Sequence, residues 1–349
     1  MYTDYLSRKI KRRKIVVIVS ITILFLLLIV LICAKGHSIS SLYNKVNYED
    51  VSCHYARDGD ALQKIDEHFF PSTNSIFFHE TSCQGRLNSR QACAIESAAR
   101  THPDWEIHVL FSAPVNKLSL GDVNIELLKL MKNVFFSRVH IVDYSKGTPL
   151  ERLVTSGAIN RTLWPITHTT NLLKFATLYK WGGVVLSLDT MVTKPLIGLG
   201  RNWAVKDEWE MFVRSEALAF YRDSVGTLIG DSAARMLASN FDVIWGQYRS
   251  DQVITDALKE ICFTQDVKKM KADVCLDFEV YPASVLLKLD LSDGSHKKSD
   301  YNSTEIYIYH FKNKPIRDHH VNYKGSLYSK LAKRYCPIVY ETYRDLFGM

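Results

Sequence analysis

Asp189 closes a short apolar run, GVVLSLD (183–189), and the residue two before it is Ser187. On a strand, positions i and i+2 project to one face, so hydroxyl and carboxylate stand side by side while Leu188 points away. Oxygen ligands of this kind suit Mg²⁺ or Mn²⁺. The preceding stretch, THTTNLLKFATLYKWGG (167–183), carries Asn171 and Lys174 three residues apart, hence on one face of a helix. Further polar groups stand where other apolar runs stop: His79-Glu80-Thr81 after SIFF, Asp143 after RVHIV, and His310 within YHFKN.

Positioning these groups requires strands and helices in alternation. SIFFHE (75–80), EIHVLF (106–111), RVHIVD (138–143) and GVVLSLD are short runs rich in Val, Ile and Phe, and read as buried strands. SRQACAIESAARTHP (89–103) places Ala92, Ile95, Ala98 and Ala99 on one helical face, pairs Glu96 with Arg100 at i,i+4, and stops at Pro103. Residues 166–180 repeat the pattern with Leu172, Phe175, Ala176 and Tyr179, and Gly182-Gly183 follow where a helix C-cap is expected. Such alternation predicts an α/β domain with a largely parallel sheet. Ligands of such sheets bind at the carboxyl ends of strands, so His79-Glu80-Thr81, Asp143 and Asp189 are expected to share a cleft. Residues 290–305 read as a polar loop before the strand-like IYIYHF.

The first residues set the compartment. Residues 15–34, IVVIVSITILFLLLIVLICA, are uncharged over a length sufficient to cross a bilayer core of about 30 Å. Arg8, Lys9, Lys11, Arg12, Arg13 and Lys14 precede them, with Asp4 the one acid, so the N-terminus is expected to stay cytoplasmic and the rest to be translocated. The organisation predicted is a cytoplasmic tail (1–14), a transmembrane anchor of type II (15–34), a stem (35–73) with local helix around DALQKIDEHFF, and a lumenal domain (74–349). The formal charge of +7 is concentrated in the tail; beyond it 38 bases face 36 acids, which is no nucleic-acid footprint. Six of the seven cysteines follow the anchor: Cys53, Cys83, Cys93, Cys262, Cys275 and Cys336. An even number in an oxidising lumen suggests up to three disulfides, with 15 pairings open if all join, and the spacings lack the C-x-x-C pairs of structural zinc. Two glycosylation sequons start at Asn160 and Asn302.

Three stretches, FFHETSCQG…CAIESAARTHPDWEIHVLF, THTTNLLKFATLYKWGGVVLSLD and YIYHFKNK…LAKRYCP, together resemble the alpha-1,4-galactosyltransferases that act on glycolipids and their insect relatives that add N-acetylgalactosamine. The resemblance covers roughly residues 74 to 338. It implies a Golgi type II membrane protein with a GT-A, Rossmann-like nucleotide-sugar fold, a retaining transfer from UDP-galactose or UDP-N-acetylgalactosamine, Mn²⁺ as cofactor and a glycosphingolipid acceptor. It implies Asp-x-Asp where this chain has Ser187-Leu188-Asp189, so Asp189 matches the second carboxylate and Ser187 replaces the first. Asn171 and Lys174 match a family Asp and Arg turned towards the nucleotide, and His310 matches a family His suited to the metal. WGQYRSDQVIT (245–255) lacks the family's Gly-Pro on the acceptor side. The departures gather at one place, and a second reading follows: a pseudo-glycosyltransferase that binds glycan or an active paralogue. Homo-oligomers or hetero-oligomers with a related transferase fit both. The resemblance names no catalytic nucleophile or base, because in a retaining reaction the leaving phosphate itself can take the acceptor proton.

Overall fold

Ten strands alternate with helices: β1 (Ser75–Glu80), β2 (Glu106–Phe111), β3 (Val134–Arg138), β4 (Gly183–Leu186), β5 (Thr190–Val192), β6 (Trp203–Lys206), β7 (Val213–Phe220), β8 (Glu279–Tyr281), β9 (Leu286–Asp290) and β10 (Ile308–Lys312). The longer helices are α1 (Ser89–Thr101), α2 (Pro165–Lys180), α3 (Ser224–Asn240), α4 (Ser250–Ile261), α5 (Leu327–Tyr335) and α6 (Pro337–Tyr343). This computed structural model describes residues 52–57, 59–66, 68–162, 164–241, 249–290, 305–312 and 327–344. The segment read as an anchor (15–34) and the sequon at Asn302 lie outside the described residues, among which no helix is long and apolar enough to cross a membrane.

Seven strands form one sheet in the order β3-β2-β1-β4-β7-β6-β8, and β5-β10-β9 form a second. The first four strands are parallel, whereas β7 runs antiparallel to both β4 and β6. The main sheet is therefore mixed. Its inner strands are buried on both faces: Ile76 and Phe78 join one apolar layer with Ile95 of α1, while Phe77 joins the other with Leu172 and Phe175 of α2. Two layers of helix thus sandwich the sheet and hold the strand ends still.

Gly182 and Gly183 do more than end α2. Both have positive φ (65° and 81°), which side chains resist. A Cβ on Gly182 would come within 2.5 Å of the Phe220 carbonyl, and one on Gly183 within 2.8 Å of the Ser75 carbonyl. Only glycine lets β4 slide between β1 and β7 here.

Two local expectations are corrected. RVHIVD is not a strand: β3 lies earlier, at VFFSR, and Ile141–Ser145 form a helical turn. The apolar Val134-Phe135-Phe136 run takes the place beside β2, and Arg138 ends the strand with its buried guanidinium 2.9 Å from Asp60. Nor does the described part of 60–70 form a helix. This stretch lies along the domain instead, with the Arg138 N–H donating to the Gln63 carbonyl and the Ile65 N–H to that of Arg138. The six cysteines of the sequence reading pair as Cys53–Cys83, Cys93–Cys336 and Cys262–Cys275.

Candidate active site

The strand β4 ends at Leu186, and Ser187-Leu188-Asp189 form the turn by which the chain leaves the main sheet and enters the small one at β5. Ser187 shapes that turn. Its Oγ accepts from the Asp189 N–H at 3.3 Å, and its carbonyl accepts the Thr190 N–H at 3.1 Å and hydroxyl at 2.6 Å. Strand β10 closes the far side, with the Phe311 N–H donating to the Asp189 carbonyl at 2.9 Å.

Around this turn opens a cleft of about 800 Å³. Ser187 and Asp189 line it together with Asn171 and Lys174 of α2, and His79, Glu80 and Thr81 enter from the end of β1. The sequence-based grouping of these residues is met in space. Asp143 is the exception: it sits in the helical turn after β3, 2.9 Å from His140 and 3.7 Å from Arg57, away from the cleft. The periodicity placed Asp143 at a strand end that does not exist. Asn160 is exposed at the end of a short helix, while the Thr162 hydroxyl of the same sequon is buried against His168 at 2.7 Å. His310 is outside the cleft lining but close behind it, its Nδ1 3.6 Å from Glu216.

Several residues of the cleft escaped the sequence reading. Glu216, in the middle of β7, and Ser250 and Asp251, at the start of α4, all line it. Asp251 accepts the Ser215 N–H at 2.9 Å and hydroxyl at 2.6 Å. Glu216 accepts from Lys288 Nζ at 3.2 Å. A signal for Glu216 was present: an acid inside the otherwise apolar VRSEALAF is costly unless it has charged partners. Of the segment 245–255, residues 245–248 lie outside the described residues.

Burial pushes the Asp189 carboxyl up to about 6, with Arg90 opposing. Lys174, only 7% exposed, is drawn down by burial against the attraction of Asp251 and Glu216. Burial raises Glu216 as well, but His310, Lys288 and Arg214 outweigh it and hold the group well below the usual carboxylate range. His310 itself is lowered to about 4, by burial first, and is neutral at pH 7. Glu80 is raised by burial, and its Oε2, like Glu216 Oε2 and His310 Nδ1, is buried without a hydrogen-bond partner among the described residues.

These orphaned oxygens and the imidazole nitrogen, at or close behind the cleft that Asp189 lines, are of a chemistry that suits a divalent cation. No trio in the cleft is yet drawn close. Among the described residues only Cys53, His54 and Cys83 bring three ligand atoms within 4.8 Å, and those two sulfurs are joined in a disulfide.

The chain is similar to several known proteins. A profile described as "Glycosyltransferase sugar-binding region containing DXD motif" matches residues 88–211, and "Alpha 1,4-glycosyltransferase conserved region" matches 228–343. Lactosylceramide 4-alpha-galactosyltransferase of Mus musculus is 25% identical over 275 residues, covering 75% of this chain and 74% of that one. Its Homo sapiens counterpart is 26% identical over 284 residues, covering 78% of each. Solved structures with similarity include the galactosyltransferase LgtC in complex with donor and acceptor sugar analogs (TM-score 0.41, 16% identity, 76% of this chain and 95% of that one). Mouse xyloside xylosyltransferase 1 in its apo form is another (TM-score 0.41, 10% identity, 68% and 96%).

The mixed α/β fold with a polar cleft at its strand ends is thus that of a glycosyltransferase, of the hexosyltransferase class. More narrowly, residues 228–343 match the conserved region of the alpha-1,4-glycosyltransferases, and the relatives at 25–26% identity are lactosylceramide 4-alpha-galactosyltransferases. The DXD-containing region is recognisable although the motif itself reads Ser187-Leu188-Asp189.

Proposed function

We propose that the chain transfers galactose or N-acetylgalactosamine from its UDP-sugar, in alpha-1,4 linkage and with retention, to a terminal sugar of a glycosphingolipid. The reading places a GT-A nucleotide-sugar domain in the Golgi lumen, tethered through residues 15–34. The observation that carries it is the meeting of Asp189, Asn171 and Lys174 in one cleft of about 800 Å³, a size suited to a nucleotide sugar. The lactosylceramide-directed relatives support the choice of a glycolipid acceptor, and three disulfides accord with an oxidising compartment.

In this mechanism Asp189 and His310 would hold Mn²⁺, which would supply positive charge against the departing diphosphate. Lys174 adds a fixed positive charge from α2, buried where its field is little screened. Asn171, 6% exposed, offers both a donor and an acceptor to the nucleotide without charge. Thr81, Thr170 and Trp164 also line the cleft. The acceptor hydroxyl loses its proton to the departing phosphate, so no protein base is required.

A second reading, a transferase-like protein that binds glycan or a paralogue without turnover, is favoured by one observation: Ser187 spends its hydroxyl on the turn at the Asp189 N–H. Calorimetric titration of UDP with and without Mn²⁺, and hydrolysis of UDP-galactose and UDP-N-acetylgalactosamine, separate the two. The transferase is expected to bind UDP at least tenfold more tightly with Mn²⁺, and Asp189→Ala to abolish that gain. Background hydrolysis in both proteins, with UDP binding indifferent to Mn²⁺, selects the second reading.

A further inference from the structure

Directly across the sheet from Ser187 stands an acid. Strands β4 and β7 are antiparallel with Leu186 beside Ala217, and one step further the Ser187 N–H donates to the Glu216 carbonyl at 2.8 Å. Residues that face each other in an antiparallel pair send their side chains to the same side of the sheet. Glu216 therefore puts a carboxylate on the side where the serine has none, and both residues line the cleft with Asp189.

The surroundings of Glu216 treat its two oxygens differently. Oε1 accepts from Lys288 Nζ at 3.2 Å, with His310 Nδ1 at 3.6 Å. Oε2 is buried and has no hydrogen-bond partner among the described residues, and the same holds for His310 Nδ1, on a ring only 8% exposed. His310 stands beside Lys288 on the adjacent strand, and across the other edge it faces Thr190, the residue after Asp189. A carboxylate oxygen and an imidazole nitrogen that are both buried without a hydrogen-bond partner among the described residues are costly as they stand. A bound cation satisfies both.

We propose that Glu216 is the transplanted second carboxylate of the cation site: it supplies from β7 the negative charge that Ser187 withholds from β4, and holds Mn²⁺ together with Asp189 and His310. Lys288 grips the other oxygen and keeps the group aimed. This rests on the nucleotide-sugar reading above. Because no three ligand atoms in the cleft are already within 4.8 Å of one another, the ion is expected to bind weakly alone and firmly with UDP, whose phosphates bring further oxygens.

The test is Mn²⁺-dependent UDP binding by calorimetry on the full chain in detergent, with Mn²⁺ electron paramagnetic resonance as a direct view of the ion. Glu216→Gln is expected to raise the Mn²⁺ concentration for half-maximal UDP binding by about tenfold to a hundredfold. Adding Ser187→Asp to Glu216→Gln is expected to recover most of that loss, which a purely structural role for Glu216 does not allow. If Glu216→Gln does not fold, Glu216→Asp retains the charge on a shorter arm, and a changed Mn²⁺ resonance is expected. An unaltered Mn²⁺ dependence in Glu216→Gln, beside a lost one in Asp189→Ala, overturns the proposal while leaving the transferase reading intact. Wild-type UDP binding indifferent to Mn²⁺ overturns both.

Discussion

Lys174 and Asp189 show how unevenly single residues could be read. The resemblance to the alpha-1,4-galactosyltransferases marked them as one cluster, and they line one cleft. Glu216 was illegible for a physical reason: it meets Ser187 through a pairing between segments about 30 residues apart, and no local period encodes that register. Asp251 was missed likewise, since its approach depends on where α4 begins. Buried histidines offer a prediction at this scale. Burial lowers His54 to about 4 and His79 to about 3, with Arg138 and Lys174 adding to the effect respectively. Their folded values lie below the unfolded value near 6.5, so below that pH the unfolded chain takes up protons first. Their contribution to stability is whole above pH 6.5 and drains away towards pH 4, at about 1.4 kcal/mol per pH unit for each proton. Thermal melts across pH 7 to 4.5 are expected to show this decline, and His54→Gln to flatten it by close to one proton.

Among the elements, the helices that were strongly periodic lie where the sequence put them, α1 and α2 above all. The sheet is only partly parallel because β7 turns back between β4 and β6, an arrangement that apolar runs alone do not distinguish from a parallel one. RVHIVD failed because β-branched residues near a short helical turn mimic a strand. Glu96, read as the partner of Arg100 on an outer face, has another task. It is 1% exposed and its two carboxylate oxygens accept the Ile338 and Val339 N–H groups at 3.0 and 2.8 Å. It thereby caps α6 from a distance, where the helix has no side-chain cap of its own. Glu96→Ala is expected to cost about 1–3 kcal/mol, and hydrogen exchange at the Ile338 and Val339 amides is expected to quicken before exchange in β1. Unchanged protection there would remove the capping account.

For the whole molecule, the Cys93–Cys336 bridge ties α1 to the start of α6 across 243 residues. Removing it by paired alanine substitutions is expected to cost about 2–5 kcal/mol, seen as a lower melting temperature under non-reducing conditions; an unchanged one would mean packing alone secures the C-terminal helices. The same closure has a consequence for biosynthesis. Among the described residues strand β5 pairs with β10 alone, and Thr190 waits for His310, about 120 residues downstream. At translation speeds of about 5–20 residues per second the interval is roughly 6–24 seconds. Throughout it, a nascent chain carries an open strand edge and an unmated Cys93 thiol, while Cys53 and Cys83 are already free to couple. A late-synthesised strand therefore brings His310 to the turn at Asp189, and a chain cut short before β10 would lack both the partner of β5 and the proposed third ligand.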